Sequence, residues 1–221
     1  MQIAIVLYPE FTCLDAIGPY QVLQHLPGAE TVFVAEHAGE IRDDYGALRL
    51  TVERTFADVP APDVIVVPGA TITRSLATPD HPIVQWIRTV HPQTTWTTSV
   101  CTGSLLLGAA GVLDDLDATT HWCAYEELAG FGAKPTGERV VQRGKIITAA
   151  GVSSGIDMAL TLVAEIAGPE VAQAIQLAIE YDPQPPFDAG SVAKAPEAVV
   201  ELVRAVLAER QREISGEPAL D

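Results

Sequence analysis

Short, wholly apolar runs alternate along this chain with longer stretches whose apolar positions return at near-helical spacing. The first run, Ile3–Leu7, has the aliphatic content of a strand covered on both faces in a parallel sheet. Leu14–Leu26 then reads as a helix stopped by Pro27-Gly28. Thr31–Ala35 reads as a second strand, and the segment 40–53 holds short β-like pieces around Tyr45-Gly46, a hairpin insertion. Val64–Val67 is another buried strand, closed by Pro68-Gly69. Asp80 is placed to cap a helix through Ile83, Trp86, Ile87 and Val90, with Pro82 in its first turn. The β-branched run Thr95–Val100 gives way at once to a small-residue helical stretch, Gly103–Ala110. Further strands are expected at Arg139–Gln142 and Lys145–Thr148, and helices at Gly155–Ala167, Glu170–Ile179 and Pro196–Arg212.

Strands alternating with helices predict an α/β fold, a mostly parallel central sheet with helices on both faces. The expectation is a single domain over residues 1–221, with a polar tail from about 213 to 221. In such sheets the site lies beyond the carboxyl ends of the strands. That rule selects three loops, after Leu7, after Val67 and after Val100. Pro183–Ser191, with three prolines and Phe187, is too irregular for an element and too apolar for a free linker. It is expected to be an ordered flap near the substrate entrance.

Composition changes this picture mainly by exclusion. An apolar share of 48% and a charged share of 19% over 221 residues are those of an ordinary globular domain. The net charge of −16 would repel a phosphate backbone over most of the surface, so nucleic acid is not an expected partner. The N-terminal run lacks the basic residues of a signal peptide, and no stretch approaches the ~20 apolar residues of a membrane span. Cys13, Cys101 and Cys123 make an odd count without CxxC spacing, which argues against a disulfide framework or a zinc site. A reducing, cytoplasmic location is expected.

The strongest chemical signal is Ser99-Val100-Cys101-Thr102-Gly103-Ser104. A buried strand ends in a nucleophile-type residue, Gly follows two positions later, and a helix begins at once. This is the pattern of a nucleophile elbow, with sulfur in place of oxygen. Gly103 is needed because the helix backbone passes close to the strand. The helix N-terminus favours a thiolate there. Of the histidines, His25 lies near a helix end, and His81 and His91 flank a helix and are expected in solvent. None has the His-x-Glu setting of a glutamine amidotransferase. His121 is the one candidate base, and its place before Trp122 fits a structural role equally well. Asp15, among Leu14, Ala16 and Ile17, is the other candidate: an acid on the same sheet edge as Cys101, or a helix cap. Cys13 reads as a loop residue near the site and Cys123 as core.

The elbow, the Leu14-Asp15-Ala16-Ile17-Gly18-Pro19 run and the Pro68-Gly69 loop resemble the DJ-1/PfpI superfamily. Ala118–Trp122 (ATTHW), Gly155-Ile156-Asp157 and the run Glu180–Ser191 resemble its isonitrile hydratase branch most closely. The resemblance runs from Ile3 to about Arg212 and implies a flavodoxin-like, class I glutamine amidotransferase-like sandwich. It implies Cys101 as nucleophile, Asp15 as general acid/base, and Thr102 as a backbone N–H donor beside the sulfur. Backbone groups at Gly69, Ala70 and Val152 would face the substrate or a developing charge. The implied reaction is hydration of an isonitrile to the N-substituted formamide by a hydro-lyase needing no metal or organic cofactor. A homodimer acting on a small molecule is expected from the same source. A glyoxalase-type reaction on α-oxoaldehydes would use the same residues, and a non-catalytic redox or stress-response thiol is the third reading.

Two departures stand out. The family's Pro-Gly-Gly loop is here Pro68-Gly69-Ala70, and its glycine-rich run before the late helix is Ala149-Ala150-Gly151-Val152. Thr102 stands where the protease-like branch has His. The related regulators carry a helix-turn-helix domain of about a hundred residues after the core, which this chain is not expected to have.

Overall fold

Residues 1–216 are described by a computed structural model. They fall into two compact units, Met1–Ile179 and a second one that begins at Glu180. The first unit opens with β1 (Gln2–Val6), α1 (Cys13–Leu23) and β2 (Glu30–Ala35). A hairpin follows, β3 (Gly39–Arg42) antiparallel to β4 (Arg49–Val52), with Tyr45-Gly46 in its turn as expected. Next come the two-residue β5 (Arg54–Thr55), β6 (Val64–Val67), α2 (Thr73–Leu76), α3 (Pro82–Val90), β7 (Trp96–Val100) and α4 (Gly103–Ala109). The unit closes with β8 (Asp117–Ala118), α5 (Tyr125–Gly130), β9 (Lys134–Pro135), β10 (Val140–Arg143), β11 (Ile146–Ala149), α6 (Ser154–Ala167) and α7 (Pro169–Ala178).

The main sheet has the order β10-β11-β7-β6-β1-β2-β5, parallel throughout except for β10 against β11. Chain direction explains the two helical layers. The β1–α1–β2 crossover steps to one side of β1, whereas β6–α3–β7 steps to the other, and right-handed crossovers then place α1 and α3 on opposite faces. Helix α6 packs against both α1 and α7, and α2, α3 and α5 pack around α4. The switch in direction opens a crevice between β1 and β6 at their carboxyl ends.

Burial follows the apolar runs. All of Ile3–Leu7 and Val64–Val67 is at or near zero exposure. Strand β7 is different, because its middle is Thr97, Thr98 and Ser99, all fully buried. The first two hydroxyls are satisfied: Thr98 Oγ1 donates to the Ile65 carbonyl at 2.9 Å, and Thr97 Oγ1 lies 2.8 Å from His91 Nδ1. His91 is therefore a partly buried, bonded residue rather than a solvated one. The cap of α3 also differs from expectation. His81 occupies the N-cap position and its Nδ1 accepts the Ile83 N–H at 3.3 Å, while Asp80 lies one residue too early.

In the second unit Pro183–Ser191 forms no helix or strand, and α8 spans Glu197–Ser215, three residues past Arg212. The tail beyond residue 216 lies outside the described residues.

Candidate active site

Cys101 follows β7 directly and sits in the left-handed region, at φ 57°. Its N–H donates to the carbonyls of Ala149 (3.1 Å) and Ala150 (3.0 Å), so the residue extends the ladder to β11 before the chain turns. Its own carbonyl accepts from Ser104 Oγ at 3.2 Å and Thr120 Oγ1 at 3.1 Å. These bonds hold a conformation that costs a non-glycine residue of order 1 kcal/mol or more. Gly103 is dictated by contact: a Cβ there would lie 2.0 Å from the Val67 carbonyl oxygen. The elbow expected from the sequence is thus built, with Cys101 only 6% exposed.

Backbone N–H groups of Thr102 and Val152 reach the Cys101 sulfur. Val152 is β-branched yet holds φ 31°, a second strained residue at the same sulfur. Val152 comes to the Cys101 sulfur through a fourth loop, after β11, that the strand-end rule does not select. The signal was topological, since β11 lies beside β7 in the sheet.

Asp15 is fully buried on the first turn of α1. It does not cap that helix: Thr12 is the N-cap residue, and Asp15 Oδ2 accepts the Gly69 N–H at 2.9 Å across the crevice. Oδ1 is buried and has no nitrogen or oxygen partner. Burial pushes the Asp15 carboxyl well above the usual carboxylate range, against the opposing pull of the Gly69 N–H and of a hydrogen bond with Cys101. Burial likewise pushes the Cys101 thiol well up, and the nearby Asp15 charge adds to this, while the Thr102 and Val152 N–H groups oppose it. Two anions side by side in a buried site are disfavoured, so the pair holds on to one shared proton.

Gly69 and Ala70, expected to face the substrate, use their N–H groups inside the protein. Gly69 N–H is taken by Asp15, and Ala70 N–H donates to Thr102 Oγ1 at 3.0 Å. A Cβ on Gly69 would come within 2.6 Å of the Thr102 nitrogen, so the loop after β6 is pressed against the elbow. Two residues the sequence reading passed over complete this layer. Tyr8 donates to the Pro68 carbonyl at 2.7 Å and lies 3.2 Å from Thr73 Oγ1, and Thr73 Oγ1 donates to the Ala70 carbonyl at 2.8 Å. Burial, with Asp15 and Cys101 nearby, drives the Tyr8 phenol far above its ordinary value, so it remains a neutral donor. Tyr8 also borders a cavity of about 410 Å³ lined by Leu7, Ile41, Ile72, Leu76 and Ile83 among others. Tyr8 stands two residues past the end of β1, in one of the three selected loops.

His121 turns its Nδ1 to Cys123. Its Nδ1 lies 2.9 Å from Cys123 Sγ, and its ring packs on Gly151, where a Cβ would meet Cδ2 at 2.5 Å. Cys123 is half-buried beside Arg74, not a core residue. Cys13 opens α1 and is also half-buried. Among the described residues no group of three or more His, Cys, Asp or Glu side chains is placed to hold a metal ion, and no helix is long and apolar enough to cross a membrane.

An elbow cysteine facing a buried acid is thus on hand, and comparison with known proteins gives it a lineage. The model of the DJ-1/PfpI family matches residues 1–165. The chain belongs to the DJ-1/PfpI family. An isonitrile hydratase of Pseudomonas putida is 44% identical over 204 residues, covering 92% of this chain and 89% of that one. The crystal structure of a ThiJ/PfpI family protein from Pseudomonas syringae superposes with a TM-score of 0.90 at 39% identity, covering 96% of this chain and 87% of that one. An oxidized DJ-1 from Toxoplasma gondii shares the DJ-1/PfpI fold at a TM-score of 0.71 and 21% identity, covering 82% and 99% of the two chains.

Proposed function

We propose that this protein is an isonitrile hydratase, converting R–N≡C and water to the N-substituted formamide. The observation that carries the reading is the shared-proton pair of Cys101 and Asp15, in a chain 44% identical to an isonitrile hydratase over 92% of its length. The terminal carbon of an isonitrile must gain both a nucleophile and a proton, and the pair supplies one of each. The Cys101 sulfur bonds to that carbon as Asp15 delivers the proton to it, giving the thioimidate R–N=CH–S–Cys101. Asp15, now a carboxylate with an unpartnered Oδ1, takes a proton from water, whose oxygen adds to the same carbon. Asp15 passes that proton to the substrate nitrogen and takes up the hydroxyl proton as the C–S bond breaks, releasing R–NH–CHO and the thiolate and returning the pair to its one-proton state.

Thr102 and Val152 N–H groups stabilise the sulfur as it leaves. Gly69 and Ala70 act one step back, by fixing Asp15 and Thr102. We extend the proposal to a homodimer working in the cytoplasm, supported by the family resemblance and by three unpaired cysteines.

Formamide appearance from cyclohexyl isonitrile tests the reading directly. Wild type is expected to turn over and Cys101→Ala to be silent. Lactate from methylglyoxal without any formamide would instead assign the glyoxalase-type reaction.

The pH profile should carry the signature of the pair. The active form holds one proton, so kcat/KM rises as the first proton leaves and falls as the last one does. Both groups are raised, so the acid limb is expected above the ordinary carboxyl value of 3.8 and the basic limb above the ordinary thiol value of 9.0. An acid limb at or below 3.8 would contradict the desolvated pair.

A further inference from the structure

The cluster around Cys123 has no part in the mechanism above, yet it is built like a reactive-thiol centre. His121 Nδ1 accepts the Cys123 backbone N–H at 3.4 Å, so Nδ1 is the unprotonated ring nitrogen. Burial, with the Arg74 charge adding to it, keeps this imidazole neutral. The Cys123 thiol, 2.9 Å from the same Nδ1, is then the donor and His121 its base. Arg74 Nη2 stands 3.8 Å from the same sulfur and also reaches the Cys123 carbonyl at 3.5 Å. Glu127 Oε1 accepts from Arg74 Nε at 2.8 Å, which fixes the guanidinium in place. Both ends are reachable: Cys123 is half-buried and the Arg74 side chain is 24% exposed.

We propose that Cys123 is a second reactive thiol, a modification site for thiol–disulfide exchange with small disulfides that carry carboxylates. His121 Nδ1 takes the thiol proton, and the sulfur attacks one sulfur of R–S–S–R. The S–S bond breaks, a Cys123–S–S–R bond forms, and R–S⁻ departs with the electron pair, so the disulfide is the sole oxidant. Arg74 attracts the reagent's carboxylates. This selectivity is local, because the chain as a whole carries −16. The other half-buried thiol supplies the contrast: Cys13 lies within reach of the Asp43 and Asp44 charges, which repel an anionic reagent. Cys101 is nearly enclosed and shares its proton with Asp15.

The native protein would be treated with two probes, the dianionic disulfide of thionitrobenzoic acid and the neutral disulfide of mercaptopyridine, with the modified cysteine identified by peptide mass. The dianion is expected to label Cys123 first. That reaction should vanish in Cys123→Ser and persist in Cys101→Ser. Arg74→Gln should slow the dianion about tenfold while changing Cys123 labelling by the neutral probe less than about threefold, which separates charge recognition from a general loosening. His121→Gln should slow both probes. First labelling at Cys13 or Cys101, or equal slowing of both probes by Arg74→Gln, would overturn the proposal.

Discussion

Asp15→Asn is expected to lower isonitrile turnover by roughly 10²–10⁴-fold, the range for loss of a positioned acid/base. The substitution keeps the shape of the side chain and a carbonyl oxygen for the Gly69 N–H. It removes the proton that the terminal carbon needs and the base that activates water. Stability should move the other way. The folded-state pKa of Asp15 is raised by burial, so wild type loses stability as pH rises from the ordinary carboxyl value of 3.8 through that raised one. A neutral Asn has no such loss. Asp15→Asn should therefore melt higher than wild type at neutral pH, with the difference shrinking in acid. Turnover within a few-fold of wild type would remove Asp15 from the reaction. A lower melting temperature at neutral pH would show that the carboxylate is paid for by contacts this account lacks.

Gly103→Ala carries the largest expected cost to the fold. Its Cβ would sit 2.0 Å from the Val67 carbonyl oxygen and 2.8 Å from that of Pro68, both backbone atoms that cannot swing aside. Either α4 backs away from β6 or the elbow opens, and both disturb the setting of Cys101. A loss of about 4 kcal/mol or more is expected, near the upper end for single substitutions. In a chain of this size that lowers Tm by roughly 10 °C. Gly130→Ala is the control, since nothing lies within 4 Å of a Cβ built there, and it should leave Tm nearly unchanged. An unchanged Tm for Gly103→Ala would refute the close approach of α4 to the sheet.

The sheet's central strands were legible because they are covered on both faces. Ile3–Leu7 and Val64–Val67 are continuous apolar runs, and the structure shifts the first by one residue and the second by none. The elbow was legible too, because few sequences put a small-residue helix directly behind a β-branched run. Two-residue strands such as β8 and β9 leave no period to detect, and α5 is too short for one.

Polar residues were the harder part. Asp15 looks the same in sequence whether it caps α1 or crosses the crevice to Gly69, and only the 54-residue separation closed by the fold decides it. His91 and Thr97 are a mutually satisfied pair that a solvated-histidine reading misses. Cys123 was read as core because free cysteines usually are. Its partner Arg74 comes from a loop-side helix 49 residues away. Val152 came from resemblance, although sheet order would have selected its loop.

In the proposed reaction Cys101 forms a covalent bond with the isonitrile carbon. Acid quenching during steady-state turnover of cyclohexyl isonitrile, followed by intact and peptide mass measurement, tests it most directly. An adduct of the full isonitrile mass is expected on the peptide carrying Cys101, since addition loses no atoms, and none in Cys101→Ala. Formamide production that continues undiminished in Cys101→Ala, with no adduct on the wild-type peptide, would contradict it.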